Sequence, residues 1–145
     1  MTNECVICKR IPAKIVFVYT HRIFDDAPPE TIHAIAVKAY EIINAIDEKQ
    51  RIFFCGRSQS SILSGLFYLL SFQYGKRKTI SDISRKIVSY HRLFWHDKEA
   101  HITSEATVSK SYKRWLRLQP NFFPTEIHTI FNEHKRIRAF QHTKP

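Results

Sequence analysis

Three features of the sequence predict a fold built mainly of α-helices. Apolar residues recur at three- and four-residue spacing between residues 32 and 46, which places them on one stripe of a helix. Polar residues suited to capping helix starts, Ser58 and Thr79, stand before further apolar segments. Gly75 and Pro120 stand where helices would end. With 145 residues, 43% of them hydrophobic, the chain suits one globular domain with its own core.

Two periodic elements in the first half are predicted to be core helices. Residues 30–47 form an amphipathic helix with a single apolar face. The next helix begins near Ser58, whose hydroxyl can cap free backbone N–H groups, and continues towards Tyr74. Ser64 and Gly65 lower the helix propensity in its middle. We therefore expect a neighbouring helix to pack closely against this point.

This helix is predicted to end at Gly75, and another helix is predicted to begin shortly after it. Gly75 and the three cations after it interrupt the apolar pattern. Thr79 lies three residues before Asp82, which resembles a capping box with a shorter acid than usual. The spacing of the apolar residues that follow predicts a helix over about 80–94.

The last predicted helix covers about 103–118 and is basic on one side. Thr103 or Ser104 can cap it, and the sequence does not decide between them. Pro120 and Pro124 then stop helix formation.

The distribution of charge points to a polyanionic partner. The net charge is +10, with a pI near 9.7. Residues 1–75 contain 8 Lys and Arg against 7 Asp and Glu, whereas residues 76–145 contain 15 against 6. Nucleic acid is the simplest partner for such a surface, because cations that neutralise phosphates release condensed counterions. The alternative is that these lysines and arginines serve only solubility.

Several other classes of protein are not favoured by the sequence. The longest mainly apolar run, residues 62–72, is shorter than the roughly 20 residues that a membrane-spanning helix needs. No secretory signal is visible, so the three cysteines are expected to be reduced thiols in an intracellular compartment. The chain contains no P-loop and no GxSxG motif, and its three glycines offer little for loops that cradle a ligand. We expect neither an enzyme nor a bound cofactor.

Metal binding is also not expected. Cys5 and Cys8 form a CxxC, but structural zinc needs four ligands and no second Cys pair follows. His21 and Cys55 would complete a site only in an unusual fold. The remaining candidates are expected to be loop or surface residues rather than a metal triad: His91, His96 and His101.

Three ordered motifs resemble the cyclin-like repeats of transcription factor IIB and its archaeal counterpart. Residues 56–70 present a Gly-Arg-Ser start, a helix rich in small residues and an aliphatic-Tyr-aliphatic element. Residues 78–83 resemble that family's Arg-Thr-x-x-Glu-Ile, and residues 107–112 its Thr-Val/Ile-Arg-x-x-Tyr. Residues 118–125 are similar to the Pro-Asp-Leu-Phe-Pro element that closes the second repeat. The resemblance covers roughly residues 14–126 and is strongest to the C-terminal repeat.

The resemblance implies a cyclin-like domain of five helices, preceded by a CxxC segment (1–13) and followed by a basic tail (127–145). The helices are expected at about 14–25, 30–47, 58–74, 80–94 and 103–118. Residues 15–20 are β-branched and aromatic, which by propensity alone predicts a strand. The family has a helix at this place, ending at an acidic, proline-containing turn, so a helix is predicted here. With this helix, the resemblance implies an all-α fold.

The resemblance also implies a function. In this family the last two helices of the second repeat form a helix-turn-helix, whose recognition helix enters the major groove just upstream of the TATA element. The chain would then be a general transcription initiation factor that binds promoter DNA beside TATA-binding protein and helps the preinitiation complex to assemble, with RNA polymerase as a further partner. The implied location is the nucleus, or a nucleus-like organelle, in a eukaryote, and the cytoplasm in an archaeon.

The predicted DNA contacts fall into two sets. Candidates for base edges lie at the start of the last helix: Ser104, Ala106, Thr107, Ser109 and Lys110. Candidates for phosphates are the cations of that helix and of the preceding loop: Lys113, Arg114, Arg117, Lys76, Arg77 and Lys78. At Ala106 and Ser109 the family commonly has a valine and an arginine, so the sequence preference is expected to relax or change.

Other departures from the family leave a second function open. The segment at 88–102 is longer than the usual turn between the two helices of a helix-turn-helix. A zinc ribbon and a first repeat do not fit into the first thirteen residues. The chain could instead be a regulator that competes with the full-length factor without recruiting polymerase. It could also be a cyclin-box module that binds protein in a groove between helices 30–47 and 58–74.

Overall fold

A computed structural model describes residues 11–46, 50, 59–94, 103–118, 123 and 127, with the backbone alone described for 88–94. In this part of the chain there are five helices and no strand. The helices are α1 (Ala13–Ile23), α2 (Pro29–Asn44), α3 (Gln59–Gln73), α4 (Ile80–Phe94) and α5 (Glu105–Leu118). The predicted all-α class is confirmed, and each predicted helix agrees with the observed bounds to within three residues.

Helix α1 forms although its residues favour a strand. Val16, Tyr19 and Ile23 are buried at three- and four-residue spacing, so one face of the helix enters the core. The hydroxyl of Thr20 is also buried and donates to the carbonyl of Val16 at 2.6 Å. Burial of this face therefore outweighs local β propensity, which is itself strongly dependent on context.

Helix α3 is the central helix of the core. Leu63, Leu66, Phe67, Leu69 and Leu70 are fully buried, although they point in different directions around the helix axis. A helix that is apolar on all sides must be surrounded by protein. Its most extensive contact is with α5, and it also packs against α4 and α2.

The crossing of α3 and α5 is unusually close. A Cβ atom added to Gly65 would overlap the backbone of Ser111 and Tyr112 on α5. Trp115, which is fully buried, donates from its indole N–H to the carbonyl of Ile62 at 2.9 Å. The close approach predicted for Gly65 is confirmed, and α5 is the helix that makes it.

Helix α3 ends in a Schellman motif. Gly75 has φ +68°, in the left-handed region, and its N–H donates to the carbonyl of Phe72 at 3.3 Å. The N–H of Lys76 donates to the carbonyl of Ser71 at 2.9 Å. The side chain of Ser71 then accepts from the N–H of Lys78 at 3.2 Å. These bonds fix the path of the loop at 76–78, which carries three of the predicted contact residues.

Helix α4 begins with the predicted capping box. The N–H of Asp82 donates to the Thr79 hydroxyl at 3.0 Å, and the N–H of Thr79 donates to the Asp82 carboxylate at 3.3 Å. Hydrogen bonds with the side chain and backbone of Thr79 lower the pKa of the Asp82 carboxyl below its ordinary value of 3.8, and Arg85 at 2.7 Å adds to this effect. Further along α4, Ile83 and Ile87 are fully buried in the core.

None of the described helices combines the length and apolar character that a membrane span requires.

Candidate nucleic-acid interface

The exposed face of α5 carries a line of cations. The inner face of this helix is defined by its buried residues: Val108, Ser111, Tyr112 and Trp115. Four exposed residues follow one line on the opposite face, at spacings of four, three and four positions: Ala106, Lys110, Lys113 and Arg117. At about 3.6 residues per turn, these spacings keep all four close to a single direction. We call this line the outer stripe.

The other predicted residues of α5 lie beside the outer stripe. By the same helical geometry Thr107 and Arg114 fall on one flank and Ser109 on the other, and all three are partly buried. The sequence predicts Lys113, Arg114 and Arg117 as one set of phosphate contacts. The structure separates Arg114 from the other two by direction and by exposure.

The start of α5 shows which residue caps it. The hydroxyl of Ser104 accepts from the N–H of Thr107 at 3.2 Å and lies 2.9 Å from the Thr107 hydroxyl. Thr103 is buried instead, and its hydroxyl donates to that of Ser60 at 3.3 Å while its carbonyl accepts from the Ser84 hydroxyl. Ser104 is therefore the cap, and the Ser104 and Thr107 hydroxyls are hydrogen-bonded to each other within the chain.

The three cations of the loop at 76–78 have different surroundings. The ammonium of Lys78 lies 2.7 Å from the Asp26 carboxylate, and the Lys78 side chain is only 11% exposed. The guanidinium carbon of Arg77 lies 4.5 Å from the centre of the Phe72 ring, within range of a cation–π interaction, and Arg77 is exposed. Lys76 is half-buried. Arg77 is the loop cation that the structure presents most openly to solvent.

The turn after α1 supplies acids that form ion pairs with the loop at 76–78 and with α4. Asp25 lies 2.7 Å from the ammonium of Lys86 on α4, which also donates to the carbonyl of Ile23 at 3.3 Å. Hydrogen bonds with Lys86 and Lys78 lower the pKa values of Asp25 and Asp26, respectively. The acidic turn can be predicted from the sequence, but its partners cannot, because they lie 61 and 52 residues away along the chain.

A cleft of about 460 Å³ connects the loop with the start of α5. It is lined by residues of α3, the loop, α4 and α5: Tyr68, Phe72, Arg77, Lys78, Thr79, Ile80, Ser81 and Glu105. The Tyr68 ring packs against Phe72 and Tyr112, with ring centres 5.2 and 4.9 Å apart. Of the sequence-predicted contact residues, Arg77 and Lys78 line this cleft, and the residue of α5 that lines it is the acidic Glu105.

The described residues contain no group of three or more His, Cys, Asp or Glu side chains placed to hold a metal ion. Cys5, Cys8 and Cys55 lie outside the described residues, as do His96, His101 and the side chain of His91. The expectation that the CxxC segment holds no zinc stays a prediction. The connection at 95–102 and most of the basic tail lie outside the described residues as well.

No protein-family model matches the chain, and no curated protein or solved structure matches it either.

Proposed function

We propose that this protein is a transcription initiation factor related to factor IIB, which binds promoter DNA by placing α5 in the major groove. The observation that supports this most strongly is the outer stripe. Three of its four residues are cations, all three are exposed, and the opposite face of the same helix is anchored in the core. Such a surface can meet a polyanion without any part of the core having to open.

The dimensions of a helix suit this docking. An α-helix with its side chains is about 10–12 Å across, and the major groove of B-DNA is about 12 Å wide. Val108 and Trp115 are fully buried, and the hydrogen bond from Trp115 to Ile62 joins α5 to α3. The helix is therefore a rigid element that can present the outer stripe in a fixed direction, as a recognition helix must.

Helices α4 and α5 would together form the helix-turn-helix. They pack against each other, and the hydroxyl of Ser84 on α4 donates to the carbonyl of Thr103 just before α5. In this arrangement α4 crosses above the groove, and α5 enters it. The third family-like motif, residues 107–112, lies within α5 and supports the same assignment.

The loop at 76–78 would contact the DNA backbone beside the groove. Arg77 is exposed at the cleft that also borders Glu105, the first residue of α5. A guanidinium at this position can bind a phosphate oxygen and set the position of the protein on the duplex, without contributing sequence preference. Lys76 would act in the same way, whereas the Lys78 ammonium is already paired with Asp26.

TATA-binding protein would be the neighbouring partner on the promoter, and RNA polymerase a further one. These partners, and a nuclear location in a eukaryote or a cytoplasmic one in an archaeon, follow from the motif resemblance. The role would be to help the preinitiation complex to assemble.

A titration with fluorescent duplex DNA tests binding, and co-migration with TATA-binding protein on promoter DNA tests the partner. We expect duplex binding that weakens steeply between about 50 and 200 mM salt, as it does for proteins that make several phosphate contacts. We also expect a slower-migrating species with both proteins on a TATA-containing duplex. Failure to bind any duplex at low salt would contradict the proposed DNA-binding role. DNA binding without co-migration with TATA-binding protein would contradict the role in initiation alone.

A further inference from the structure

The cations of α5 fall into two geometric classes, although they follow one another closely in sequence. Lys110 and Lys113 belong to the outer stripe, directly opposite the buried face. Arg114 is the next residue after Lys113, but it lies about 100° further around the helix axis, on the partly buried flank. Their roles in any complex with DNA should therefore differ.

The direction of a side chain decides what it meets in the major groove. When a helix lies in the groove, the face away from the protein core points to the groove floor, where the base edges are. The flanks of the helix point to the groove walls, which are formed by the two phosphate backbones. The outer stripe is diametrically opposite the face that Val108 and Trp115 anchor, so its middle residues point to the floor.

The cations are the strongest hydrogen-bond donors on this side of α5. The hydroxyls of Ser104 and Thr107 are hydrogen-bonded to each other, and Ser104 also caps the helix. Ala106 has no polar side-chain atom, and Arg117 lies in the last turn of the helix. Lys110 and Lys113 are the donors that the outer stripe offers in the middle of α5.

We propose that Lys113 acts together with Lys110 as a specificity-determining residue that contacts guanine edges, an inference that rests on the proposed function. An ammonium carries three N–H donors, and guanine presents two acceptors, O6 and N7, in the major groove. Residues three apart on a helix are separated by about 4.5 Å along its axis, while base pairs are stacked at about 3.4 Å. The two lysines therefore fit guanines in adjacent or next-but-one base pairs. This role differs from the phosphate contact that the sequence predicts for Lys113.

The test compares two duplexes that differ only in the acceptors of guanine. One contains a run of guanines, and in the other 7-deazaguanine replaces each of them, which removes N7 but keeps base pairing and every phosphate. We expect the protein to bind the unmodified duplex at least about fivefold more tightly, the lower end of what one good base contact provides. Affinity is measured by fluorescence anisotropy at one fixed salt concentration.

Two neighbouring substitutions that remove the same charge serve as variant and control. Lys113→Gln should reduce the discrimination between the two duplexes, and Lys113→Arg should retain it, because a guanidinium also contacts guanine. Arg114→Gln should weaken binding to both duplexes by the same factor. Thermal melting followed by circular dichroism checks that each variant is folded.

The outcomes separate this inference from the function on which it rests. Equal affinity of the unsubstituted protein for both duplexes would overturn the role of Lys113 and leave DNA binding intact. Loss of discrimination in Arg114→Gln but not in Lys113→Gln would overturn it as well. Absence of binding to either duplex at low salt would overturn the proposed function itself.

Discussion

The backbone N–H of Gly65 on α3 donates to the side-chain oxygen of Ser111 on α5 at 3.2 Å, where the two helices cross. The same Ser111 hydroxyl donates to the carbonyl of Ile62 at 3.1 Å. No side chain fits between the helices at this point, because a Cβ on Gly65 would overlap backbone atoms of α5. The position of the outer stripe therefore depends on a glycine that lies 45 residues before its first cation, Lys110.

Gly65→Ala should destabilise the protein strongly. The added methyl group meets backbone rather than a flexible side chain, so α3 and α5 must move apart, and overpacking of this kind costs about 1–3 kcal/mol. Equilibrium urea denaturation followed by circular dichroism measures the free energy of unfolding. Ser64→Ala is the matched control, since Ser64 is also fully buried and its hydroxyl donates to the carbonyl of Ser61 within α3 at 2.7 Å. A loss in Gly65→Ala no greater than in Ser64→Ala would contradict the close crossing.

Removing the charge of Asp82 should lower stability in a way that depends on pH. The pKa of this carboxyl is lower in the folded protein than its ordinary value of 3.8, so the charged form favours the folded state. This contribution is complete above the unfolded-state pKa and is lost as the pH falls through the folded-state pKa, that is, below about 4. At pH 7, Asp82→Asn should cost about 0.3–1 kcal/mol, the usual value of a carboxylate at a helix N-terminus.

The difference between Asp82→Asn and the unsubstituted protein should then shrink as the pH is lowered from 5 to 3. Asp25 and Asp26 titrate in both proteins, so their effect cancels in the comparison. A difference in unfolding free energy that stays constant over this range would show that the charge of Asp82 contributes nothing.

Asp26→Asn should strengthen duplex binding by releasing the ammonium of Lys78, which now lies 2.7 Å from the Asp26 carboxylate. A further phosphate contact should steepen the dependence of log affinity on log salt by about 0.9. Adding Lys78→Gln to this variant should reverse the steepening. Glu30→Gln, which removes the same charge from an exposed position at the start of α2, is the control for net charge. An equal change of slope in both single variants would contradict a specific role for the pair.

Most of the local structure could be predicted from the sequence, because its causes are local. The capping box of Thr79 and Asp82 and the glycine that ends α3 are recognised from residue types at short spacing. Helix α1 is the exception: its residues 15–20 favour a strand, and only the motif resemblance indicated the helix that burial of one face stabilises.

The candidate site was less predictable, because it depends on contacts between distant residues. The sequence identifies every cation of α5 and of the loop, but their roles depend on which face of α5 is buried. That Arg114 lies on a flank, and that Lys78 is held by Asp26, becomes visible only when the helices are packed. The resemblance to factor IIB repeats stays a proposal that experiments must test.

The most direct test of the account compares two triple variants in duplex binding. One removes the cations of the outer stripe (Lys110→Gln, Lys113→Gln and Arg117→Gln), and the other removes three cations of α1 and α2 (Lys14→Gln, Arg22→Gln and Lys38→Gln). Both lose the same net charge. We predict that at about 50 mM salt the first variant loses at least about tenfold in affinity, because it lacks both proposed base contacts and the third cation of the outer stripe. The second variant should stay close to the unsubstituted protein. Equal losses in the two variants would contradict the claim that the outer stripe binds DNA.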